Sequence, residues 1–195
     1  MREDKRSVHF ATGNRNKYLE AARIAAAFGV VLKYLKLEKQ EIQSEKLTAI
    51  AMFAATRAAE LTGKNLVVED AGLFVKGLSG FPGPYSSYVF DTIGVEGILK
   101  LLRKVKNRDA SFQAVVAYCE PGRRPVCLAG KARGTLTKTA RGSHGFGFDP
   151  IFVPTGSRRT FAEMDISEKN LYSHRAKAFT SFCKWFARSR SSETS

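Results

Sequence analysis

Residues 7 to 35 read SVHFATGNRNKYLEAARIAAAFGVVLKYL, and their pattern decides the fold class. Residues 7–12 have the composition of a strand, and a polar turn follows them. The next segment is predicted to be a helix that ends near Gly29, because glycine commonly terminates helices. Residues 30–35 form a second predicted strand. A strand, a helix and a second strand in this order predict a parallel sheet that is covered by helices.

The rest of the chain continues this alternation and adds a β-rich segment. Glu120-Pro-Gly joins two strand patterns as in a hairpin, so the sheet is predicted to be mixed. The sequence has no internal repeat and no low-complexity linker. Residues 1–187 are therefore predicted to form one α/β domain with the β-rich segment as a lobe, and residues 188–195 a frayed tail. The other predicted elements are helices over 45–61 and 92–105 and strands over 66–68, 111–118 and 125–136.

The composition limits the class of protein. With 195 residues and 44% apolar content, the chain is long enough for one domain with a real core. It has no apolar run of the ~20 residues that a membrane span needs, so no membrane partner is expected. Its charged start does not match a signal peptide. Cys119, Cys127 and Cys183 are odd in number and widely spaced, which predicts a cytoplasmic protein with reduced thiols.

The formal net charge of +14 arises from 32 Lys and Arg against 18 Asp and Glu. A basic excess of this size attracts nucleic acid, anionic membranes or nucleoside phosphates. The charges are spread along the chain and no helix has base-reading spacing, so no specific nucleic-acid partner is expected. A solvated basic surface and a functional electrostatic field are both open interpretations.

A long C-terminal helix is predicted to start at Asp165, which has Glu168 three residues later as in a capping box. Its apolar stripe contains Arg175, and a guanidinium is rarely buried without a partner. The pattern leaves two partners open: an internal carboxylate, or a polar group of a ligand that Lys169 and His174 would also approach. The apolar members of the stripe are Leu171, Ala178, Phe179, Phe182, Trp185 and Phe186.

The segment Thr12-Gly-Asn-Arg-Asn-Lys17 lies where the first strand meets the first helix. Helix N-termini carry unpaired amides and the positive end of the helix dipole, so they bind phosphate groups readily. Thr12 and Asn14 offer hydrogen bonds, and Lys17 adds a countercharge. The segment matches neither a Walker A loop nor a G-x-G-x-x-G fingerprint. Phosphate binding and a simple Asn-capped helix therefore both fit it.

Glu69 and Asp70 follow the predicted strand over 66–68. Ligands in α/β sheets bind beyond the carboxyl ends of strands, and acids there commonly hold Mg²⁺. Because side chains alternate along an extended chain, only one of the two acids is expected to face a metal ion. Glu41, after the second strand, is a further candidate carboxylate. The alternative is that Glu69 and Asp70 belong to a solvated turn.

A glycine-rich segment, Gly145-Phe-Gly-Phe-Asp-Pro150, places two aromatic rings next to an acid. Glycines let a flat ligand approach the rings closely, so Phe146 and Phe148 are candidates to hold a nucleobase. The alternative is that both are ordinary core phenylalanines. The histidines and cysteines lack the spacing of a zinc site.

Four segments together match one family in order and spacing, from about Phe10 to Phe179. The chain resembles the inosine triphosphate pyrophosphatase family. Each motif is modest by itself, whereas the ordered set is highly specific. The matching segments are residues 12–17, 69–73 with 81–85, 145–150, and 162–164 with 168–170 and 173–175.

The resemblance implies a hydrolase that cleaves ITP, dITP and XTP between the α- and β-phosphates, giving the monophosphate and pyrophosphate. It implies Mg²⁺, a homodimer, and an elongated α/β fold whose mixed sheet is flanked by helices, with a central nucleotide-binding cleft between two lobes. Asp70 would be the catalytic acid and a metal ligand, and Glu41 the other metal carboxylate. The triphosphate-binding residues would be Thr12, Gly13, Asn14, Arg15, Asn16, Lys17 and, through its backbone amide, Ala71. The residues around the base and sugar would be Phe146, Gly147, Phe148, Asp149, Lys169, His174 and Arg175.

In this interpretation the partner of Arg175 is O6 of hypoxanthine or xanthine, an acceptor where adenine has an amino donor. The sequence departs from the family pattern at three positions. Ala71 lacks a serine hydroxyl and Ala54 stands about where many members have lysine, which both bear on phosphate affinity. Phe148 replaces Trp or Tyr, which bears on base stacking. Two other functions stay open: a pyrophosphatase of shifted nucleotide specificity, and a basic nucleic-acid-binding protein.

Overall fold

The computed structural model describes residues 6–37, 40 and 42–191. Their strands form a mixed seven-stranded sheet in the order β2-β1-β3-β5-β6-β7, with β4 paired to β3, which confirms the predicted α/β class. In chain order the elements are β1 (Ser7–Ala11), α1 (Arg15–Ala26), β2 (Val31–Leu35), α2 (Leu47–Thr62), β3 (Leu66–Val75), β4 (Pro82–Gly83), α3 (Ser86–Leu101), β5 (Asp109–Cys119), β6 (Val126–Leu136), β7 (Phe152–Pro154), α4 (Ile166–Tyr172) and α5 (His174–Ser191).

The chain divides into two compact units, and β3, β5 and β6 contribute residues to both. Unit 1 begins with the strand, helix and strand that the opening stretch predicts. β1 pairs in parallel with both β2 and β3, so that Phe10 lies opposite Tyr34 and Val67. Unit 1 consists of residues 1–70, 115–130 and 175–195, and unit 2 of residues 71–114 and 131–174.

The core of unit 1 is built on apolar faces of β1, β5, α2 and α5. The ring of Phe179 in α5 lies 5.2 Å from that of Phe10, and the ring of Phe186 lies 5.6 Å from that of Tyr118. α2 buries a face of small side chains and ends at Gly63, whose left-handed backbone (φ 64°) suits glycine. The buried alanines of α2 are Ala51, Ala54, Ala55, Ala58 and Ala59.

Unit 2 has an aromatic core of its own. The ring of Phe152 in β7 lies 4.8 Å from Phe112 in β5 and 5.0 Å from Phe161. Ile98 and Leu102, at the end of α3, are fully buried in the same cluster. In this unit β3 pairs antiparallel with β4, and β6 pairs antiparallel with β7.

The strand that carries the two adjacent acids is longer than predicted. It was expected to end before Glu69, but β3 continues to Val75. Its second half pairs with β4, where Leu73 lies opposite Gly83, and local sequence cannot show a pairing with a later segment. Glu69 and Asp70 therefore lie inside a strand rather than in a turn.

The predicted C-terminal helix is wrong in one respect, because it consists of two helices. Asp165 caps α4 as expected, its side chain accepting from the Glu168 amide at 2.9 Å. The backbone of Ser173 is extended (ψ 148°) and separates α4 from α5. This break ends the continuous stripe, so Leu171 is 77% exposed while the stripe from Arg175 onward is largely buried. α5 runs to Ser191, past the start of the predicted tail.

The position of α3 also differs from the prediction over 92–105. It begins at Ser86, directly after a Gly-Pro-Tyr turn, and is interrupted at Gly94, whose φ of 61° lies outside the helical range. Glycine is the residue that takes such a conformation without steric cost. The predicted helix starts at Thr92, close to this interruption, and therefore lacks the first part of α3.

The three cysteines are free thiols, and burial raises the pKa of the Cys183 thiol to about 12. That thiol stays protonated and unreactive at neutral pH, since the thiolate is the nucleophile. Among the helices of the described residues, none is long and apolar enough to cross a membrane.

Candidate active site

The segment 12–17 forms the turn between β1 and α1 in unit 1. The Asn14 side chain caps α1 by accepting from the Lys17 amide at 3.1 Å, and the Asn14 amide donates to the hydroxyl oxygen of Thr12 at 3.1 Å. Thr12 is buried, whereas Gly13, Arg15 and Asn16 are exposed. The helix therefore begins as an Asn-capped helix, with exposed backbone at its positive end. The same geometry suits an anion, because the helix dipole favours negative charge there.

Four charged side chains of unit 1 form a cluster, which we call the buried ion cluster: Lys17, Glu20, Glu69 and Arg175. Lys17 Nζ lies 2.8 Å from one carboxylate oxygen of Glu69, and Arg175 lies 3.0 Å from the other. Arg175 also contacts the Glu20 carboxylate at 2.6 Å. Two positive and two negative groups balance, and Glu69 connects the two cations.

Burial makes this cluster energetically sensitive. The residue exposures of Glu20, Glu69 and Arg175 are 2%, 1% and 2%. Charges at such depth are tolerated when they are paired, and removing one partner typically costs about 3–5 kcal/mol. The sequence left two kinds of partner open for Arg175, an internal carboxylate or a ligand. The structure contains the first kind, in the carboxylates of Glu20 and Glu69. A contact of Arg175 with a nucleobase stays a prediction.

Asp70 is the last residue of the first segment of unit 1 and is 8% exposed. Its neighbour Glu69 contacts Lys17 and Arg175. A carboxylate oxygen is the kind of ligand that Mg²⁺ takes, and Mg²⁺ needs only one or two protein carboxylates when substrate phosphates supply the rest. The donor chemistry of Asp70 thus fits Mg²⁺.

Glu41, the second predicted metal carboxylate, lies outside the described residues. Within residues 6–37, 40 and 42–191, no group of three or more His, Cys, Asp and Glu side chains is arranged to hold a metal ion.

Unit 2 brings together three of the residues predicted to surround the base. Asp149 is buried, and one of its carboxylate oxygens accepts from Lys169 Nζ at 2.6 Å and from the Phe146 amide at 2.9 Å. Lys169 Nζ also lies 5.0 Å from the centre of the Phe146 ring, within the range of a cation–π contact. A buried lysine, an acid and a half-exposed aromatic ring therefore form one polar corner.

The other predicted base-site residues of unit 2 are packed against aromatic rings. Phe148 is 3% exposed and meets Phe90 edge-on at 5.4 Å. The His174 imidazole is stacked on Phe112, with ring centres 4.7 Å apart and an angle of 12°. Phe148 is therefore also a core residue of this unit, whereas Phe146 is only partly buried. Ala71 is half-buried at the start of unit 2.

Gly145→Ala is expected to destabilise the protein by more than the about 1–3 kcal/mol that a strained backbone conformation usually costs, because a collision adds to the strain. Gly145 has a φ of +75°, and an added Cβ would collide with the Asp149 carboxylate that holds Lys169. Urea unfolding measures the loss. Gly147→Ala is the matched control, because Gly147 also has a positive φ (+62°) but nothing lies within 4 Å of the position that an added Cβ would take. Equal losses in both variants would show that the Asp149 carboxylate moves aside freely.

Sequence reasoning missed Glu20 and underrated Glu69. A signal for Glu20 was present: it lies three residues after Lys17, on the face of α1 that buries Ala21 and Ile24. An acid on a buried helix face needs a cation, as Arg175 on a buried face needs an anion. Glu20 and Arg175 satisfy each other's need for a partner of opposite charge. The sequence does not show that α1 and α5 come into contact.

A family model described as the Ham1 family matches residues 8–185. The dITP/XTP pyrophosphatase of Methanopyrus kandleri is 52% identical over 179 residues, which cover 92% of this chain and 95% of that protein. The dITP/XTP pyrophosphatase of Saccharolobus solfataricus is 46% identical over 174 residues, covering 89% and 90% of the two chains. The matched range contains both the buried ion cluster and the polar corner of unit 2.

Solved structures give the same result for the fold. A HAM1 protein from Coxiella burnetii superposes with a TM-score of 0.81 at 28% identity, covering 93% of this chain and 98% of that one. A nucleoside-triphosphatase, also named dITP/XTP pyrophosphatase, from Mycobacterium abscessus has a TM-score of 0.70 at 29% identity, covering 90% and 97%. The agreement extends over nearly the full length of both chains.

Proposed function

Because this chain belongs to the Ham1 family, we propose that it hydrolyses dITP, XTP and ITP to the monophosphate and pyrophosphate, which removes deaminated purines from the nucleotide pool. The observation that carries this proposal is the 52% identity, over 92% of the chain, to a protein named dITP/XTP pyrophosphatase. The family model matches residues 8–185, a range that contains Lys17, Asp70, Asp149 and Arg175.

The triphosphate has its proposed partners in unit 1. The amides at the positive end of α1 and around Gly13 would donate hydrogen bonds to phosphate oxygens, as would the side chains of Arg15 and Asn16. Lys17 is 18% exposed at its side chain while it contacts Glu69, so its ammonium group is held at the start of the helix rather than free in solvent. Glu69 would thereby position Lys17 for the phosphates, since the bond limits where the ammonium can move.

Asp70 is the proposed catalytic carboxylate. Its carboxylate would accept the proton of a water molecule that attacks the α-phosphorus, or orient that water, and pyrophosphate would leave. Asp70 and Glu41 would hold Mg²⁺, which supplies charge neutralisation on the phosphates when it is bound. Burial of Asp70 limits access of bulk water and strengthens its electrostatic interactions.

The base has its proposed partners in unit 2. The half-exposed Phe146 ring offers a stacking surface, and Lys169 is a buried donor that Asp149 holds in place. Donors favour hypoxanthine and xanthine, whose O6 is an acceptor, over adenine with its amino group. The discrimination rests on hydrogen bonds from charged donors, each worth about 1.5–3 kcal/mol.

The protein is expected to release pyrophosphate from dITP, ITP and XTP more than about tenfold faster than from ATP, because a lost charged hydrogen bond corresponds to at least a tenfold change. A pyrophosphate-release assay with Mg²⁺ over a panel of nucleoside triphosphates measures these rates. Equal rates on ATP and ITP would instead indicate a pyrophosphatase of shifted specificity. Orthophosphate as the first product would contradict the proposed reaction.

We also propose that the chain acts in the cytoplasm as a homodimer. Support for the dimer comes from large apolar side chains exposed in unit 2 on the first part of α3 and just before it: Tyr85 is 44% exposed, Tyr88 71% and Ile93 43%. Exposed apolar patches commonly mark protein interfaces. Sedimentation velocity of the purified protein measures whether its mass is twice that of the chain.

A further inference from the structure

Unit 2 contains a concave surface, which we call the basic groove. It lies at the end of α3 and has a volume of about 620 Å³. Six of the nine residues that line it are cationic and none is acidic. The cationic residues of the basic groove are Lys100, Arg103, Lys104, Lys106, Arg108 and Lys138.

Five of these cations come from one short segment. Residues 100–108 read KLLRKVKNR, with five Lys and Arg and no acid. The sequence as a whole predicts an excess positive charge that is spread along the chain, but here the charge is concentrated. In the part of the chain that the structure describes, none of the six side chains is ion-paired with an Asp or Glu.

The structure of unit 2 accounts for only one of these charges. The Arg108 guanidinium donates to the backbone carbonyls of Leu136, Leu102 and Thr137, which ties the end of α3 to β6. Arg108 therefore has a structural role. Lys100, Arg103, Lys104, Lys106 and Lys138 are exposed and make no such bonds.

Helix capping does not explain the remaining cations. At the end of α3 the carbonyls of Ile98, Lys100 and Leu102 already accept hydrogen bonds. Their donors are the backbone amides of Leu102, Arg103 and Val105. Like charges held close together repel one another, and a bound polyanion relieves that repulsion while it releases its own counterions. The arrangement therefore favours a bound polyanion.

We propose that the basic groove binds the phosphate backbone of a nucleic-acid duplex without reading its bases, an activity separate from nucleotide hydrolysis. No aromatic side chain lines the groove, and single-strand binding sites rely on aromatic rings for base stacking. The groove is concave, so it fits the convex backbone of a duplex better than the flat surface of a bilayer. Its exposed Lys and Arg on flexible stems are typical of phosphate contacts that position a duplex without specifying sequence.

The test is fluorescence anisotropy of a labelled 20-base-pair DNA duplex with the full chain, between 50 and 300 mM KCl. With about five phosphate contacts, the plot of log K against log salt is expected to have a slope of about −4 to −5. The groove variant carries Lys100→Gln, Arg103→Gln, Lys104→Gln and Lys106→Gln and keeps Arg108. It is expected to bind at least about 100-fold more weakly at 100 mM salt, with the slope reduced in magnitude by about 3 to 4.

A control variant loses the same charge from exposed positions of unit 1 through Lys33→Gln, Lys64→Gln, Arg124→Gln and Lys184→Gln. It is expected to bind nearly as the unaltered chain does. Both variants are expected to keep the pyrophosphatase rate, which also shows that they fold. Equal weakening of both variants would show that net charge, not the groove, attracts the duplex.

Three further outcomes overturn the proposal. The first is an unaltered chain that does not bind the duplex at 50 mM KCl or has a slope smaller than about 2 in magnitude. The second is tighter binding to vesicles of anionic phospholipid than to the duplex. The third is displacement of the duplex by inorganic triphosphate at equal phosphate concentration, which would indicate a small-anion site. None of these results depends on whether the protein hydrolyses dITP.

Discussion

Asp70→Asn is expected to lower the turnover of dITP by about 10²–10⁴-fold, the usual cost of losing a general base, with weakened Mg²⁺ binding adding to it. The amide is almost the same size as the carboxylate, so the packing of β3 is expected to survive. It accepts no proton and carries no charge for the metal ion. The measurement is kcat at saturating Mg²⁺ and dITP, with thermal unfolding of the same samples.

Two further variants test whether the loss of turnover is specific to Asp70. Asp91→Asn removes one exposed acid of α3 and is expected to leave kcat unchanged. Glu69→Gln removes the neighbouring acid, which contacts both Lys17 and Arg175. Its main effect is expected to be lost stability, because two cations lose their shared buried partner. If Asp70→Asn kept most of its activity and a folded Glu69→Gln had none, Glu69 would be the catalytic acid.

Arg175→Ala is expected to lower the free energy of unfolding by about 3–5 kcal/mol, the range found when one partner of a buried ion pair is removed. Glu20 and Glu69 would both stay buried without the guanidinium that contacts them. Urea unfolding measures this loss. Lys184→Ala, at an exposed position of the same helix, is the control and is expected to change stability by less than about 0.5 kcal/mol.

The same variant separates a structural role of Arg175 from a role in base recognition. Adding Glu20→Gln to Arg175→Ala is expected to restore part of the lost stability, because it removes one of the unpaired charges. If Arg175 also contacts the base, the ratio of ITP to ATP rates falls in the folded double variant as well. An unchanged ratio would leave Arg175 with its structural role alone. A loss of stability below about 1 kcal/mol would contradict the buried ion cluster.

Much of the candidate site could be predicted from the sequence, because its segments are shaped by contacts between residues that are close in the chain. The Asn14 cap and the Asp165 cap involve residues three apart, so the pattern predicts them and the structure contains them. The glycine-rich turn over 145–149 also places Phe146 beside Asp149 through a bond across three residues. The break at Ser173 was missed, because no proline or glycine marks it.

Local sequence determined the α/β class and the elements of unit 1. It also determined the segments that carry the candidate chemistry. The signals were helix caps, turns and the periods of helix and strand. These features extend over a few residues and are set by backbone geometry. Only the tertiary structure decided which charges meet. Glu20 and Arg175 are 155 residues apart in the chain and 2.6 Å apart in the fold. Each side chain by itself required a buried partner of opposite charge, but the identity of that partner depended on the packing of α1, β3 and α5, since burial and pairing are properties of the folded chain.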